Sequence, residues 1–209
     1  MKATLRGVEL ELFEHEAVCD AIRASYDFYE AAILDDLLVR RPSEGVIVDV
    51  GAHIGNHAAY WLAFAQPLML YAFEPQPVCY ELLRRNLAAY WQAVLLPLAL
   101  SDAPGWVKLE VDEVNRGRTR ISPDGDVPAL AVRLDDLGID GITLLKVDVE
   151  GWQAHVLRGA RATLSRWHPA LLVEDEEDVV GQTLCDLYLC GYRHVAEWPG
   201  ANHLWEWAA

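Results

Sequence analysis

The sequence predicts an α/β fold, a doubly wound and mostly parallel sheet with helices on both faces. Three observations predict it. Short apolar or β-branched runs recur along the chain. Amphipathic helical stretches separate most of them. The chain closes on two strand-like runs joined only by turn residues, so the last strand is expected to run antiparallel.

Residues 1–40 read as an N-terminal extension packed on the domain, with a helix over Tyr26–Val39 lying over the sheet edge or the site. Residues 41–209 form the α/β domain. Val46–Val50 (VIVDV) is the first strand, and Asn56–Ala65 the helix after it, with Tyr60, Trp61 and Phe64 on one side. Leu68–Phe73 is the second strand. Pro77–Tyr90 is amphipathic, and Pro77 suits a first helical turn because its missing N–H has no partner there in any case. Ala93–Leu98 is the third strand. Trp106–Val111 and Val127–Val132 flank a polar segment and read as a hairpin-like insertion over 101–133. Ile142–Val147 is the next buried strand, Trp152–Leu164 a helix, Ala170–Val173 a strand and Val179–Leu189 a helix. Tyr192–Glu197 and Asn202–Trp207 close the chain around Pro199-Gly200.

The 209 residues are 53% hydrophobic, which supplies a core and excludes a disordered chain. The net charge of −15 repels phosphate backbones and anionic membranes, so neither is expected as a partner. Cys19, Cys79, Cys185 and Cys190 show no CxxC spacing, and reduced thiols in a cytoplasmic protein are the expectation. No signal-peptide pattern is visible at the N-terminus. The uncharged stretch Val50–Phe73 carries Gly51, His53, Gly55, Asn56, His57, Gln66 and Pro67, too many breaks for a membrane span.

The first strand runs into Asp49-Val50-Gly51-Ala52-His53-Ile54-Gly55-Asn56, which opens a helix. Glycines there permit a tight turn and close approach of a ligand. A dinucleotide site would show GxGxxG, and this loop does not, which argues against a nicotinamide-dependent oxidoreductase. Asp49 supplies an acid suited to an ammonium group. Glu74, at the tip of the second strand and about 25 residues on, supplies one suited to the two hydroxyls of a ribose. Together they ask for a ligand with an amino group and a ribose but no diphosphate. S-adenosylmethionine fits.

DVGAHIGNH, AFEP, ALSD, RLDDL, LLKVDVEGWQAHVLRGA and HPALLVED occur in that order. Together they resemble the FkbM family of S-adenosylmethionine-dependent methyltransferases, over roughly residues 46–177. The resemblance implies a Rossmann-like class I methyltransferase sheet of seven strands, the last antiparallel, and O-methylation of a small molecule or sugar-containing metabolite. It implies that Asp49, Gly51, Ala52 and Gly55 line the methionine end of the cofactor, that Glu74 holds the ribose, and that Ala99, Ser101 and Asp102 lie near the adenine. His53 stands where the family often has Asn, and no catalytic role is assigned to it.

Asp148-Val149-Glu150-Gly151 follows the fourth strand, at the carboxyl edge where open α/β sheets bind ligands. Strand alternation would send Asp148 and Glu150 to one side. Asp148 is the first candidate for a polar role toward the acceptor and Glu150 the second. The bland alternatives are a loop-ordering Asp148 and a Glu150 that caps the next helix. A divalent metal shared by Asp148 and the acids at 174–175 is chemically conceivable, but acidic clusters are usually solvated faces and no metal ligand is assigned. Arg116, Arg118 and Arg120 would either turn one basic face toward an acidic substrate or form an exposed rim. His57 and His203 are bases by pKa, though such histidines are more often structural. Trp198, Trp205 and Trp207 fit strand interiors, a substrate-pocket wall or a homodimer face. A nucleic-acid methyltransferase and a non-catalytic binding protein of the same fold are the remaining alternatives.

Overall fold

The structure, a computed structural model, describes residues 1–40, 45–175 and 191–208. The helix expected over Val179–Leu189 lies outside the described residues, as do Glu176, Glu177, Cys185 and Cys190.

Strands β1 (Lys2–Leu5) and β2 (Val8–Glu11) form an antiparallel hairpin. Arg6 and Gly7 turn it with φ of 48° and 90°, the left-handed pair that matches the twist of two-residue hairpins. Helix α1 (Ala17–Ser25) starts where the Glu16 carboxylate accepts from Cys19 N at 2.9 Å, and α2 (Ala31–Arg40) follows. The sequence reading found only the last of these elements. It missed a hairpin whose strands alternate Ala3/Leu5 and Val8/Leu10, and a helix capped by a glutamate rather than by Ser, Thr, Asp or Asn.

The central sheet has strands β3 (Val46–Val50), β4 (Met69–Phe73), β5 (Ala93–Leu96), β10 (Ile142–Val147), β11 (Ala170–Glu174), β12 (Tyr192–Trp198) and β13 (Asn202–Trp207). Their order is β12-β13-β11-β10-β3-β4-β5. Strand β13 runs antiparallel to both its neighbours, as expected for the closing strand, and the other pairings are parallel. Burial on both faces explains the near-continuous apolar runs. Ile47, Leu70, Leu144 and Leu172 join one cluster with Leu5, Leu10, Ile22, Leu34 and Leu37 of the N-terminal segment. Val48, Val50, Leu145, Val147, Leu171 and Val173 join the other, against the helices after β10.

The helical segments depart from the periodicity reading in three places. Residues 56–65 are α-helical only over α3 (Asn56–Tyr60) and then π-helical over Trp61–Ala65, with Gln66 N bonded to Trp61 O at 2.9 Å. Helix α4 (Pro77–Asn86) stops short of Tyr90, where the Asn86 amide turns away to bond Glu11 and Ile54. Residues 152–164 split into α5 (Gln153–Arg158) and α6 (Arg161–Trp167). At the break Gly159 lies against the Ser101 carbonyl, where a Cβ would come within 2.0 Å. Asp135, from a distant loop, accepts from Ala162 N and Thr163 N at 3.0 and 2.8 Å and so caps α6.

The insertion is larger than a hairpin. Pro97 ends β5, and the chain re-pairs as β6 (Ala99–Leu100) in a second sheet with β7 (Gly105–Glu110), β8 (Arg120–Ile121) and β9 (Val127–Val132), in the order β6-β9-β7-β8. None of the helices among the described residues is long and apolar enough to cross a membrane.

Candidate active site

The carboxyl ends of β3, β4 and β10 open into a cleft of about 910 Å³, its mouth included. Gly51 and Ala52 form its base. Their N–H groups both donate to Phe73 O at 3.0 Å, which fastens the first loop to the end of β4. Gly51 has φ of 80°, and a Cβ there would lie 1.8 Å from the Asp148 carbonyl oxygen, so the loop and the segment after β10 touch backbone to backbone. Gly55 starts α3 with φ of 87°.

Glu74 lies on the cleft wall at the tip of β4, and only 7% of it is exposed. Its carboxylate accepts from His53 N and from Gln76 N, each at 2.8 Å. Burial pushes its pKa up to about 7 against those two hydrogen bonds. Glu174, at the end of β11, is pushed to about 9, first by burial and then by the negative charge of Asp148. Both acids hold protons in the folded chain at pH values where the unfolded chain has lost them. Their contribution to stability is therefore full below about pH 4.5 and is lost as pH rises through about 7 and about 9.

Beneath the loop lies a buried charge cluster. Lys146, only 2% exposed, faces its register partner Asp49 across β3 and β10 at 3.4 Å and Asp148 at 2.9 Å. Burial pulls the Lys146 pKa down, but the carboxylates of Asp148 and Asp49 outweigh it and raise the net value. Burial likewise opposes ionisation of Asp148, and Lys146, with a hydrogen bond to Glu174, holds Asp148 below the usual carboxylate range. Asp49 is fully buried, is not among the residues lining the cleft, and both its carboxylate oxygens lack a hydrogen-bond partner among the described residues. The ammonium of Lys146 thus already sits beside Asp148, and Glu174 is held neutral at neutral pH. The metal considered between Asp148 and the acids at 174–175 has no support in this donor set.

Asp148 and Glu150 both line the cleft, although not through strand alternation. Strand β10 ends at Val147, and Glu150 and Gly151 take left-handed φ of 47° and 89°. Helix α5 takes Trp152 as its N-cap, and the Trp152 side chain makes no cap bond. Ala99 is on the wall. Ser101 and Asp102 lie behind it: Ser101 Oγ accepts from Trp152 Nε1 at 3.2 Å, and Asp102 meets His155 Nδ1 at 3.0 Å and Arg158 Nε at 3.3 Å. They hold Trp152, which does line the cleft and stacks on His155 at 3.8 Å.

The opposite wall comes from the N-terminal segment and the insertion. Asn56 donates to Tyr29 O and accepts from Tyr29 N, each at 3.0 Å, and so ties the segment before α2 to the first loop. His57 Nε2 lies 3.2 Å from Glu30 Oε2, an ionic separation without hydrogen-bond alignment, and Asn202 donates to Glu30 at 2.9 Å. Arg116 lines the cleft with its guanidinium over Phe13, whereas Arg120 pairs with Glu110 at 2.9 Å on the rim. His203 and the three C-terminal tryptophans are not among the cleft-lining residues. Trp205 is buried, Trp198 donates to Asp36 at 3.0 Å and Trp207 stacks on His168, so these rings pack within the chain.

Residues 49–193 match the model of the methyltransferase FkbM domain. The chain belongs to the FkbM methyltransferase family. Among similar proteins, 2-O-methyltransferase NoeI of Sinorhizobium fredii is 25% identical over 62% of this chain and 62% of its own length. Hexuronic acid methyltransferase AglP of Haloferax volcanii is 29% identical over 62% of this chain and 56% of its own. The FkbM chain thus spans about six-tenths of the length of these relatives. A crystal structure of methyltransferase FkbM from Methylobacillus flagellatus superposes with a TM-score of 0.59 at 20% identity, over 79% of this chain and 44% of that one. In this FkbM chain the site residues that sequence reasoning missed are Lys146, Trp152, Tyr29 and Glu30. Lys146 had a visible signal, a lone charge inside the apolar run Ile142–Val147. Tyr29 and Glu30 reach the site only through the tertiary fold.

Proposed function

We propose that this chain transfers a methyl group from S-adenosylmethionine to a hydroxyl of a small, sugar-containing acceptor. The observation that carries the reading is Glu74. Its carboxylate sits on the cleft wall, oriented by two backbone N–H groups, beside a glycine loop that opens α3. Such an acid accepts hydrogen bonds from both ribose hydroxyls. Gly51, Ala52 and Gly55 would shape the methionine end. Ala99, with Leu98, Leu100 and Trp152, offers an apolar and aromatic wall for the adenine, and Ser101 and Asp102 would act there through Trp152. Asp49 would act from beneath, by balancing Lys146 under the loop. Bound S-adenosylmethionine supplies a methyl group already activated on its sulfonium.

The chain's own task is then to position the acceptor and remove its proton. Asp148, ionised by its contact with Lys146, is placed to accept the acceptor's O–H and orient its oxygen. Glu150, Tyr29 and Arg116 face the same space, and His57 beside Glu30 lines it as well. The similarity to NoeI, a 2-O-methyltransferase, and AglP, a hexuronic acid methyltransferase, supports an oxygen acceptor on a sugar. A cytoplasmic location belongs to the same proposal.

Asp148→Asn is expected to lose turnover, by about 10²–10⁴-fold, while keeping its cofactor affinity. A mass-shift screen of hydroxylated sugars and uronic acids supplies the acceptor, and calorimetry the affinity. Normal turnover in that variant removes Asp148 from the mechanism. Glu74 gives a second test. The ribose prefers the ionised carboxylate, so affinity for S-adenosylmethionine should rise as pH passes through about 7, opposite to the trend in apo stability. Glu74→Gln should flatten that profile and weaken binding on the order of 100-fold, since hydrogen bonds to a charged group contribute about 1.5–3 kcal/mol each. An unchanged profile would show that the ligand sits elsewhere.

A further inference from the structure

The edge hairpin β12–β13 carries a feature that the cleft does not use. His194, Glu197 and His203 bring one ligand atom each to within 4.8 Å of one another. None of the three is among the residues lining the cleft. His194 Nε2 and His203 Nδ1 face each other at 3.2 Å. A tetrahedral zinc ion with Zn–N bonds of about 2.0–2.1 Å holds two nitrogens about 3.3 Å apart. The pair is therefore already spaced as one edge of such a polyhedron.

Backbone geometry builds this convergence. Glu197 is the direct register partner of His203. His194 is three residues before Glu197, and in a regular strand the two would point to opposite faces. The pairing steps from His194↔Trp205 to Ala196↔Leu204, so two residues advance on β12 for one on β13. Val195 is the extra residue of a β-bulge. The bulge turns His194 onto the face that Glu197 and His203 share. Bulges of this kind re-aim a side chain at a local cost in pairing.

We propose that His194, Glu197 and His203 form a binding site for a divalent cation of the zinc class. Two neutral imidazole nitrogens and one carboxylate are the donor set of a three-ligand zinc site, with a fourth position open to water. On binding, the ring whose facing nitrogen carries the shared proton changes tautomer and presents its lone pair. The bound cation pins β12 to β13 one residue from Asn202, whose amide holds Glu30.

Cobalt(II) titration of the full chain, stripped with chelator, tests the site at pH 7.5. The expected result is one equivalent taken up with the visible bands of a four-coordinate ion, displaced by zinc, and a melting midpoint raised by zinc. His194→Ala and His203→Ala should each weaken uptake at least about tenfold and abolish the zinc-induced rise, with Glu197→Gln weakened as well. His15→Ala, a remote exposed histidine, should behave as the parent. His194 is exposed, so its variant keeps the test valid even where His203→Ala folds poorly. Absence of stoichiometric uptake by the parent chain, or equal affinity in folded His194→Ala, overturns the proposal.

Discussion

Lys146→Met is expected to destabilise the chain by about 3–5 kcal/mol, the usual effect of leaving a buried charge without its partner. The substitution keeps the volume of the side chain and removes only its ammonium. Asp49, fully buried and without a hydrogen bond, then has nothing to balance it, and Asp148 loses its 2.9 Å contact. For a chain of this size such a loss lowers the melting midpoint by roughly 6–20 °C. Asp148, no longer held ionised by Lys146, would take up a proton more readily, so the deficit should shrink in acid. Adding Asp49→Asn and Asp148→Asn to Lys146→Met should recover much of the stability, because the charge that needed balancing is gone. Urea unfolding of the single and triple variants measures both effects. A single variant that melts within about 2 °C of its parent would mean that the cluster is hydrated and not a buried ion network.

Gly51→Ala should be nearly as severe, and for a steric reason. The residue sits at φ of 80°, where a Cβ is strained by about 1–3 kcal/mol even in open space. Here the space is filled: the new carbon would meet the Asp148 carbonyl oxygen at 1.8 Å. That carbonyl belongs to a segment anchored by Asp148 N to Val50 O at 3.1 Å, so loop and segment must part together. Both line the cleft. A displacement of about 1 Å between reacting groups can reduce turnover on the order of 100-fold. The variant should therefore show both a lower melting midpoint and a loss of S-adenosylmethionine binding by calorimetry. Parental values for both would remove the close backbone approach from the account of the site.

The central sheet was legible because strands buried on both faces cannot be mistaken for anything polar. Val46–Val50, Met69–Phe73, Ile142–Val147 and Ala170–Glu174 lie within a residue of their expected bounds. The antiparallel closing strand was legible as two runs joined only by a short turn around Pro199-Gly200. The glycine loop and Glu74 were legible because their residue types are dictated by what they touch. Other features depend on partners far along the chain. The break at Gly159 is set by the Ser101 carbonyl and by Asp135, neither of which helical periodicity can register. Ser101 and Asp102 occupy positions suggested by the family resemblance, yet their side chains are spent on Trp152, His155 and Arg158. The small second sheet begins at Ala99 because Pro97 forbids the continuation that hydrophobicity alone suggested.

The family match begins at residue 49, whereas Val18 and Tyr29 of the cleft wall stand before it. The facing wall thus joins the insertion, inside the matched region, to a stretch that precedes it, stitched on by the two-way bond between Asn56 and Tyr29. Under the methyl transfer proposed above, changes in that leading stretch would act on acceptor preference, and grafting residues 13–30 between kindred chains would test it.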